Sequence, residues 1–360
     1  MSNDGLLKLF GDEFMTLHIM SALEYAYVIE ELSALLNGKH FSRLRRVSEN
    51  IYRLKIGTHE IIFEPGIRMH ETMYVSENIP KDQFVEKVEK ELDNAKLISL
   101  LQVNEDRIVR FVFDRGELIL EMFGKGNAIL VKFGKIVCAI HNEKWSDREI
   151  KSGAEYRTPK KTSTTNLIPT GKYLIVSLMK LPLGKDYSLE ALSRAQIDEK
   201  RQDDSLSDEE MNVLKLTIDE MVSEAKPRVF YDQGRSVDFS LAHLKKFERS
   251  DGSDDESKIK ERFYDTLSLA ADEYYSKVEK SDPEQEKLIK RLEKQVERKA
   301  EIGKEATEYR NQADFIYANQ TEIEEIISLA KAGKFDKLEE KYGKLKKDLK
   351  EKSIELEVNQ

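Results

Sequence analysis

The chain has 360 residues, 39% hydrophobic and 8% aromatic, a length for two or three domains with one good core and extended helices besides. Charged residues make up 35% and the formal net charge is −9, which excludes a nucleic-acid protein acting through net charge and leaves any such role to local patches. The sole cysteine, Cys138, excludes an internal disulfide or a multi-cysteine zinc site; no apolar run nears the roughly 18 residues of a membrane span and no signal-like leader precedes the first helix, so a soluble protein of a reducing cytosol is expected.

Residues 1–20 form a leader without a clear pattern. Ser21 and Glu24 then stand at capping-box spacing, and Leu23, Tyr27, Val28, Leu32 and Leu35 make one apolar stripe that ends at Asn37-Gly38, predicting a helix. Lys39, His40, Arg43, Arg45 and Arg46 follow with no acid between them. A strand here puts Arg43 and Arg45 on one face, either as an edge strand protected by charge or as a phosphate-contacting surface. Ile51–Ile56 and Glu60–Phe63 read as a hairpin around Gly57-Thr58-His59, followed by Pro65-Gly66 and a strand from Ile67 to Tyr74. Neither His59 nor His70 has a partner that would fit it for metal or catalytic work. Pro80 opens a helix to about Lys96 with Phe84, Val88 and Leu92 inward.

The stretch from Leu97 to Ile140 holds the densest apolar content and the tightest turns. Leu100, Leu101 and Val103 lead in; Ile108–Phe113, Leu118–Met122, Ala128–Phe133 and Ile136–Ile140 alternate around Asp114-Arg115-Gly116, Gly124–Gly126 and Gly134-Lys135. Short strands joined by glycine turns predict an antiparallel meander. Within it, Asn104 and Glu105 precede the pair Asp106-Arg107 at a strand junction. On extended backbone, adjacent side chains point to opposite faces, so each must find a partner elsewhere. Asp106 either closes a turn on backbone amides, with Arg107 exposed on the sheet, or the pair is functional.

The order VNEDRIVRFVF followed by LILEMFGKGNAIL resembles the N-terminal domain of the NFACT family, over roughly residues 21–335. The family includes ribosome quality control factors of the RqcH type, the nuclear export mediator factor, and proteins once labelled fibronectin-binding. The resemblance implies that Asp106 and Arg107 are the signature pair used in tRNA-dependent extension of stalled nascent chains. It gives Glu24, where the family usually has aspartate, a role beside them, one methylene further out. It also implies a fold similar to the formamidopyrimidine-DNA glycosylases. The expected fold class is α+β, with an antiparallel β-sandwich-like domain over residues 21–158.

Glu155 to Thr165, with Pro159, Lys160 and Lys161, reads as a linker. Beyond it, Gly171–Met179 and a second helix capped by Ser188 and running through Ala195 flank Leu181-Pro182-Leu183-Gly184. This pair resembles the family's helix-hairpin-helix segment, whose second helix N-terminus leaves amides free for a phosphate; a plain packing element fits as well. A helix from Leu206 to Val222 and an extended return around Asp232-Gln233-Gly234 complete residues 165–248. Residues 258–360 are expected to be helical from Leu267. Leu288, Leu292, Val296, Ala306, Tyr309, Ala313 and Ile316, then Leu338, Tyr342, Leu345 and Leu349, make stripes on either side of Gly333, predicting an antiparallel coiled-coil arm. The family normally continues into a C-terminal RNA-binding domain, so Gln360 marks either a truncation or a chain whose second half is supplied elsewhere.

The resemblance thus leads to a non-enzymatic, cofactor-free factor that binds a large ribosomal subunit obstructed by peptidyl-tRNA and positions tRNA, with alanine as the expected cargo. Asp106, Arg107 and Glu24 would touch the tRNA, while Lys39, Arg43, Arg45 and Arg46 would add contacts to tRNA or rRNA phosphates. Self-association through the coil is left open. Two other classes stay in view. A glycosylase-like repair protein lacks the N-terminal proline amine as nucleophile. A fibronectin-binding adhesin is disfavoured by the missing secretion signal.

Overall fold

Ser21 opens the first helix, α1 (Ala22–Leu36), through both halves of the capping box. Its hydroxyl accepts from the Glu24 amide at 3.3 Å, and Glu24 Oε2 accepts from the Ser21 amide at 2.6 Å, so two otherwise orphaned donors are satisfied. The buried stripe is Tyr25, Val28, Ile29, Leu32 and Leu36, rotated from the expected one. Leu35 is exposed and Tyr27 only partly buried, because the Tyr27 hydroxyl turns aside to donate to the Val222 carbonyl at 2.9 Å.

The computed structural model describes residues 17–74, 78–145, 147–160, 171–248, 259–278, 298, 309–310, 313, 317, 319–342, 345–348 and 353–356. These belong to two units, Met1–Lys280 and Ser281–Gln360.

In the first unit, β1 (Phe41–Arg46), β2 (Tyr52–Ile56), β3 (His59–Glu64) and β4 (Arg68–Glu71) pair antiparallel in chain order. Helix α2 (Gln83–Leu92) is capped by the Asp82 carboxylate, which accepts from the Val85 amide at 2.8 Å. It stops at Leu92, short of the expected Lys96, where Asn94 takes a positive φ of 52° and the Ala95 amide returns to the Leu92 carbonyl. Five strands follow instead of four: β5 (Leu97–Gln102), β6 (Ile108–Phe113), β7 (Gly116–Glu121), β8 (Asn127–Lys132) and β9 (Lys135–Ala139) form a meander. The lead-in residues pair along β6 as a full strand.

Alternation divides this sheet's side chains between two cores. Leu118, Leu120, Ala128 and Leu130 join the main core with α1, α2 and the four-stranded sheet. Ile108, Ile119, Ile129, Val131 and Ile136 face the other way, beneath Ile150 and Tyr156. Burial on both faces explains why these strands read as apolar runs. A short hairpin of β10 (Glu143–Lys144) and β11 (Glu149–Ile150) belongs to that covering segment. Its anchor is Arg148, whose guanidinium meets the buried Glu121 carboxylate at 2.5 and 2.9 Å.

Next come α3 (Leu174–Leu178), α4 (Lys185–Ala195) and α5 (Asp208–Ser223). Then β12 (Arg228–Asp232) and β13 (Arg235–Ser240) close a hairpin at Gln233-Gly234, both at positive φ, as a two-residue turn requires. Two elements expected in the arm belong here instead. The strand β14 (Lys260–Phe263) pairs with β12, giving a sheet of order β13-β12-β14. Helix α6 (Leu267–Val278) buries Leu267, Ala270, Ala271, Tyr274 and Tyr275 in the main core. The resulting architecture is α+β with antiparallel sheets.

In the second unit, α7 (Gln320–Lys331) and α8 (Phe335–Tyr342) are separated at Gly333, φ 69°, the break expected there. The helical stripe does not continue to Leu345. Instead β15 (Leu345–Asp348) pairs antiparallel with β16 (Ser353–Leu356), Leu345 opposite Leu356 and Lys347 opposite Ile354, following the period-two alternation of Ile354 and Leu356. Leu288, Leu292, Val296, Ala306, Ile316 and Leu349 of the expected coil lie outside the described residues. No described helix is long and apolar enough to cross a membrane.

Candidate functional site

Two helix N-termini meet beside the Asp106-Arg107 turn. The β5–β6 connection is not extended: Asn104 and Glu105 sit at φ 59° and 53°, in the left-handed region that asparagine tolerates best. The Asp106 amide returns to the Val103 carbonyl at 3.1 Å, and the Asp106 carboxylate accepts from the Arg107 amide at 2.7 Å. Asp106 therefore does close a turn on backbone, as one reading of the sequence held. Gln102 stitches this turn to α1, its Nε2 donating to the Ala22 carbonyl at 2.7 Å and the Asp106 carbonyl at 3.0 Å. Both residues of the pair are half-buried and line a cleft of about 710 Å³.

The facing wall is the α3–α4 connection and the first turn of α4. Gly184, not Ser188, is the cap of α4. It sits at φ 80° and provides no side-chain acceptor, while the Ser188 hydroxyl donates back to the Gly184 carbonyl at 2.6 Å. A Cβ on Gly184 would lie 2.8 Å from Ser21 Cβ, so the close approach of the two caps needs glycine on both conformational and steric grounds. The α1 end is satisfied internally, with the Leu23 amide donating to the Pro182 carbonyl at 2.7 Å. The first-turn amides of α4 have no intrahelical acceptor, and residues of that turn line the cleft together with Arg107, Lys180 and Lys185 on one side of the charge balance and Asp106, Asp186 and Asp238 on the other.

A charge network of partly and fully buried groups lines the same cleft. Glu24 is fully buried. Its carboxylate accepts from the Ser21 amide, from His18 Nε2 at 3.1 Å and from the Tyr187 hydroxyl at 2.8 Å. His18 Nδ1 meets Asp238 Oδ1 at 2.6 Å, and Lys246 Nζ bridges Asp238 at 2.9 Å and Asp186 at 3.0 Å. Burial opposes a charge on His18, but the flanking Glu24 and Asp238 carboxylates outweigh it and hold its pKa well above the ordinary 6.5. Burial likewise works against Asp238, yet the His18 and Lys246 cations keep its pKa below the usual carboxylate value. The two carboxylates thus favour the protonated ring of His18. His18, Asp186 and Asp238 offer three ligand atoms within 4.8 Å of one another, but Lys246 already bridges the two carboxylates.

The expected residues therefore divide. Asp106 and Arg107 face the cleft. Glu24 lines it too, with its carboxylate accepting from Ser21, His18 and Tyr187. The basic patch lies outside the cleft and is compensated across the fold: Arg43 pairs with Glu60 at 3.3 Å, Arg45 with Glu89 at 2.7 Å and Arg46 with Asp82 at 3.6 Å. The acids missing from the local sequence arrive from β3, α2 and the α2 cap. Lys39 is exposed beside them, its side chain against Gly57. His18, Tyr187, Asp238 and Lys246 were not anticipated; the only local signal was a histidine three residues before the capping box.

A family model of the NFACT N-terminal and middle domains matches residues 23–358. The archaeal Rqc2 homolog aRqcH of Methanocaldococcus jannaschii is 28% identical over 371 aligned positions, covering 90% of this chain and 53% of that protein. The human ribosome quality control complex subunit NEMF is 29% identical over 129 positions, covering 33% of this chain and 12% of its own length. The chain thus spans about half the length of the first of these relatives and far less of the second. Among solved structures, the N-terminal part of the fibronectin/fibrinogen-binding protein from Streptococcus suis matches with a TM-score of 0.54 and 21% identity, over 71% of this chain and 99% of that one. Fpg (MutM) chains match at TM-scores of 0.30 to 0.33, too low to bear on the expected glycosylase likeness.

Proposed function

The chain belongs to the NFACT family, and from that premise we propose that it is a ribosome quality control factor whose cleft holds RNA. Its partners in this reading are the large ribosomal subunit obstructed by peptidyl-tRNA, its rRNA, and an incoming tRNA positioned for C-terminal tailing of the stalled chain with alanine; the setting is the cytoplasm. Peptide-bond chemistry belongs to the ribosome, and the protein contributes orientation. The names of the archaeal and human relatives support the ribosomal role.

One observation carries the reading at this site: Arg107 and the open N-terminus of α4 face the same cleft. A guanidinium and helix-end amides are donors suited to an RNA phosphate. Asp106 fixes the turn that aims Arg107, and the buried His18–Glu24–Tyr187 network holds α1 and α4 together beside it.

The test is co-sedimentation with large subunits carrying peptidyl-tRNA, and tail addition, for Arg107→Ala and Asp106→Ala. Both variants are expected to fold and to lose tail addition, Arg107→Ala with weaker and less salt-dependent binding. Wild-type tailing in the double variant would remove the assignment.

A further inference from the structure

The tip of the β8–β9 hairpin is built against its own backbone preference. Lys132 pairs with Lys135, and the two residues between them, Phe133 and Gly134, have φ of 51° and 75°. A two-residue turn with positive φ at both positions normally takes Asn-Gly or Asp-Gly, and a bulky side chain at positive φ is an outlier. Phe133 is also 96% exposed, so no packing within the fold offsets the strain.

Its surroundings are polar. The β6–β7 turn lies at the same end of the sheet, as the registers Phe113–Gly116, Glu117–Val131 and Lys132–Lys135 require, and Arg115 and Lys135 are both exposed. Arg115 Nη1 donates to the Asp93 carbonyl at 2.7 Å, and no carboxylate among the described residues pairs with Arg115 or Lys135. Lys132 is paired with Glu91, Asp114 accepts from the Lys96 amide, and Arg157 pairs with Glu155. A protein-docking patch would be contiguous and apolar. An exposed aromatic face at the same sheet end as two exposed cations that have no carboxylate partner among the described residues is an arrangement suited to stacking a base and holding the adjoining phosphates.

We propose that Phe133 is a stacking finger for an unpaired RNA base, with Lys135 and Arg115 on the flanking phosphates. This second RNA contact stands apart from the cleft. The Asp106-Arg107 turn lies at the opposite end of the same sheet, and strands of this length separate their ends by roughly 17–20 Å. The finger does not need the ribosomal reading, because its ligand is defined by base and phosphate alone.

Binding of a short fluorescein-labelled oligouridylate to the full chain, followed by anisotropy at two salt concentrations, tests it. Phe133→Asn suits the turn and is expected to keep or raise the melting temperature while weakening binding about 5- to 100-fold. Phe133→Ala should weaken it similarly, Phe133→Trp should retain it, and Lys135→Ala should lower the salt slope by about one. Wild-type affinity in Phe133→Asn and Phe133→Ala would overturn the proposal. So would unchanged RNA affinity combined with lost binding to phosphatidylserine vesicles, which would assign the tip to a membrane surface. Arg107→Ala is measured alongside, so loss there with retention in the tip variants fails the finger alone, and the reverse fails the cleft alone.

Discussion

His18 and Asp238 are 220 residues apart in the chain and share a hydrogen bond of 2.6 Å in the lining of the cleft. The bond ties the segment before α1 to β13, and Glu24 on the other ring nitrogen ties both to α1 and, through Tyr187, to α4. The site is therefore assembled by charge as much as by apolar packing.

That arrangement fixes the sign of a pH effect. The folded-state pKa of His18 is raised, so its contribution is complete below the unfolded value near 6.5 and is lost as pH rises through the folded value. Asp238 is depressed, so its contribution is present above the unfolded value near 3.8 and is lost as pH falls through the folded one. Urea unfolding across pH should show stability declining on the alkaline side by up to about 1.4 kcal/mol per pH unit. In His18→Gln that decline should disappear, and an unaltered alkaline limb in the variant would refute the linkage.

His70 predicts the opposite limb. It is buried with Nδ1 on the Glu71 carbonyl at 2.9 Å and its ring stacked on Tyr275 at 5.5 Å. Burial, with the Arg68 charge nearby, lowers its pKa to about 3. The unfolded chain takes up this proton near pH 6.5 while the folded chain refuses it, so stability should fall as pH drops from 6.5 toward 3. Acid titrations of His70→Gln should be shallower than wild type over that window.

Tyr187→Phe tests the link between α1 and α4. The hydroxyl donates to Glu24 at 2.8 Å and accepts from the Leu241 amide at 2.9 Å. Removing it leaves a buried carboxylate and a buried N–H short of partners, at a cost of about 2–3 kcal/mol, readable as a lower urea midpoint with an unchanged slope.

Gly184→Ala should do more than destabilise. The positive φ and the 2.8 Å approach to Ser21 Cβ force the two caps apart, at a cost on the order of 1–3 kcal/mol. RNA binding should drop in parallel, since the α4 amides move away from Arg107. A variant with reduced stability but wild-type RNA affinity would show that the α4 end is not part of the binding surface.

Much of the first unit was legible because its signals are local. The Ser21–Glu24 spacing specified a capping box, and glycine turns at 116, 124–126 and 134 marked the meander. Asp106 was legible as a turn-closing residue, although the left-handed conformations of 104 and 105 were not, since they leave no apolar signature. What stayed hidden was long-range. Nothing near Arg43, Arg45 or Arg46 announces Glu60, Glu89 and Asp82, and nothing near residue 18 announces Asp238 or Lys246. Lys260–Phe263 is too short and polar to identify as a strand without its β12 partner, so β14 and α6 were assigned to the arm. At Leu345 the three-four spacing of Leu338, Tyr342 and Leu345 competed with an alternation that needed Ile354 to be seen.

Tyr274 and Tyr275 of α6 both hold the backbone of His18: its amide donates to the Tyr274 hydroxyl at 3.2 Å, and its carbonyl accepts from the Tyr275 hydroxyl at 2.8 Å. Helix α6 ends at Val278, close to the end of the first unit at Lys280. Both backbone groups of His18 are thus held from one helix, so a change that shifts α6 also shifts the imidazole at the cleft.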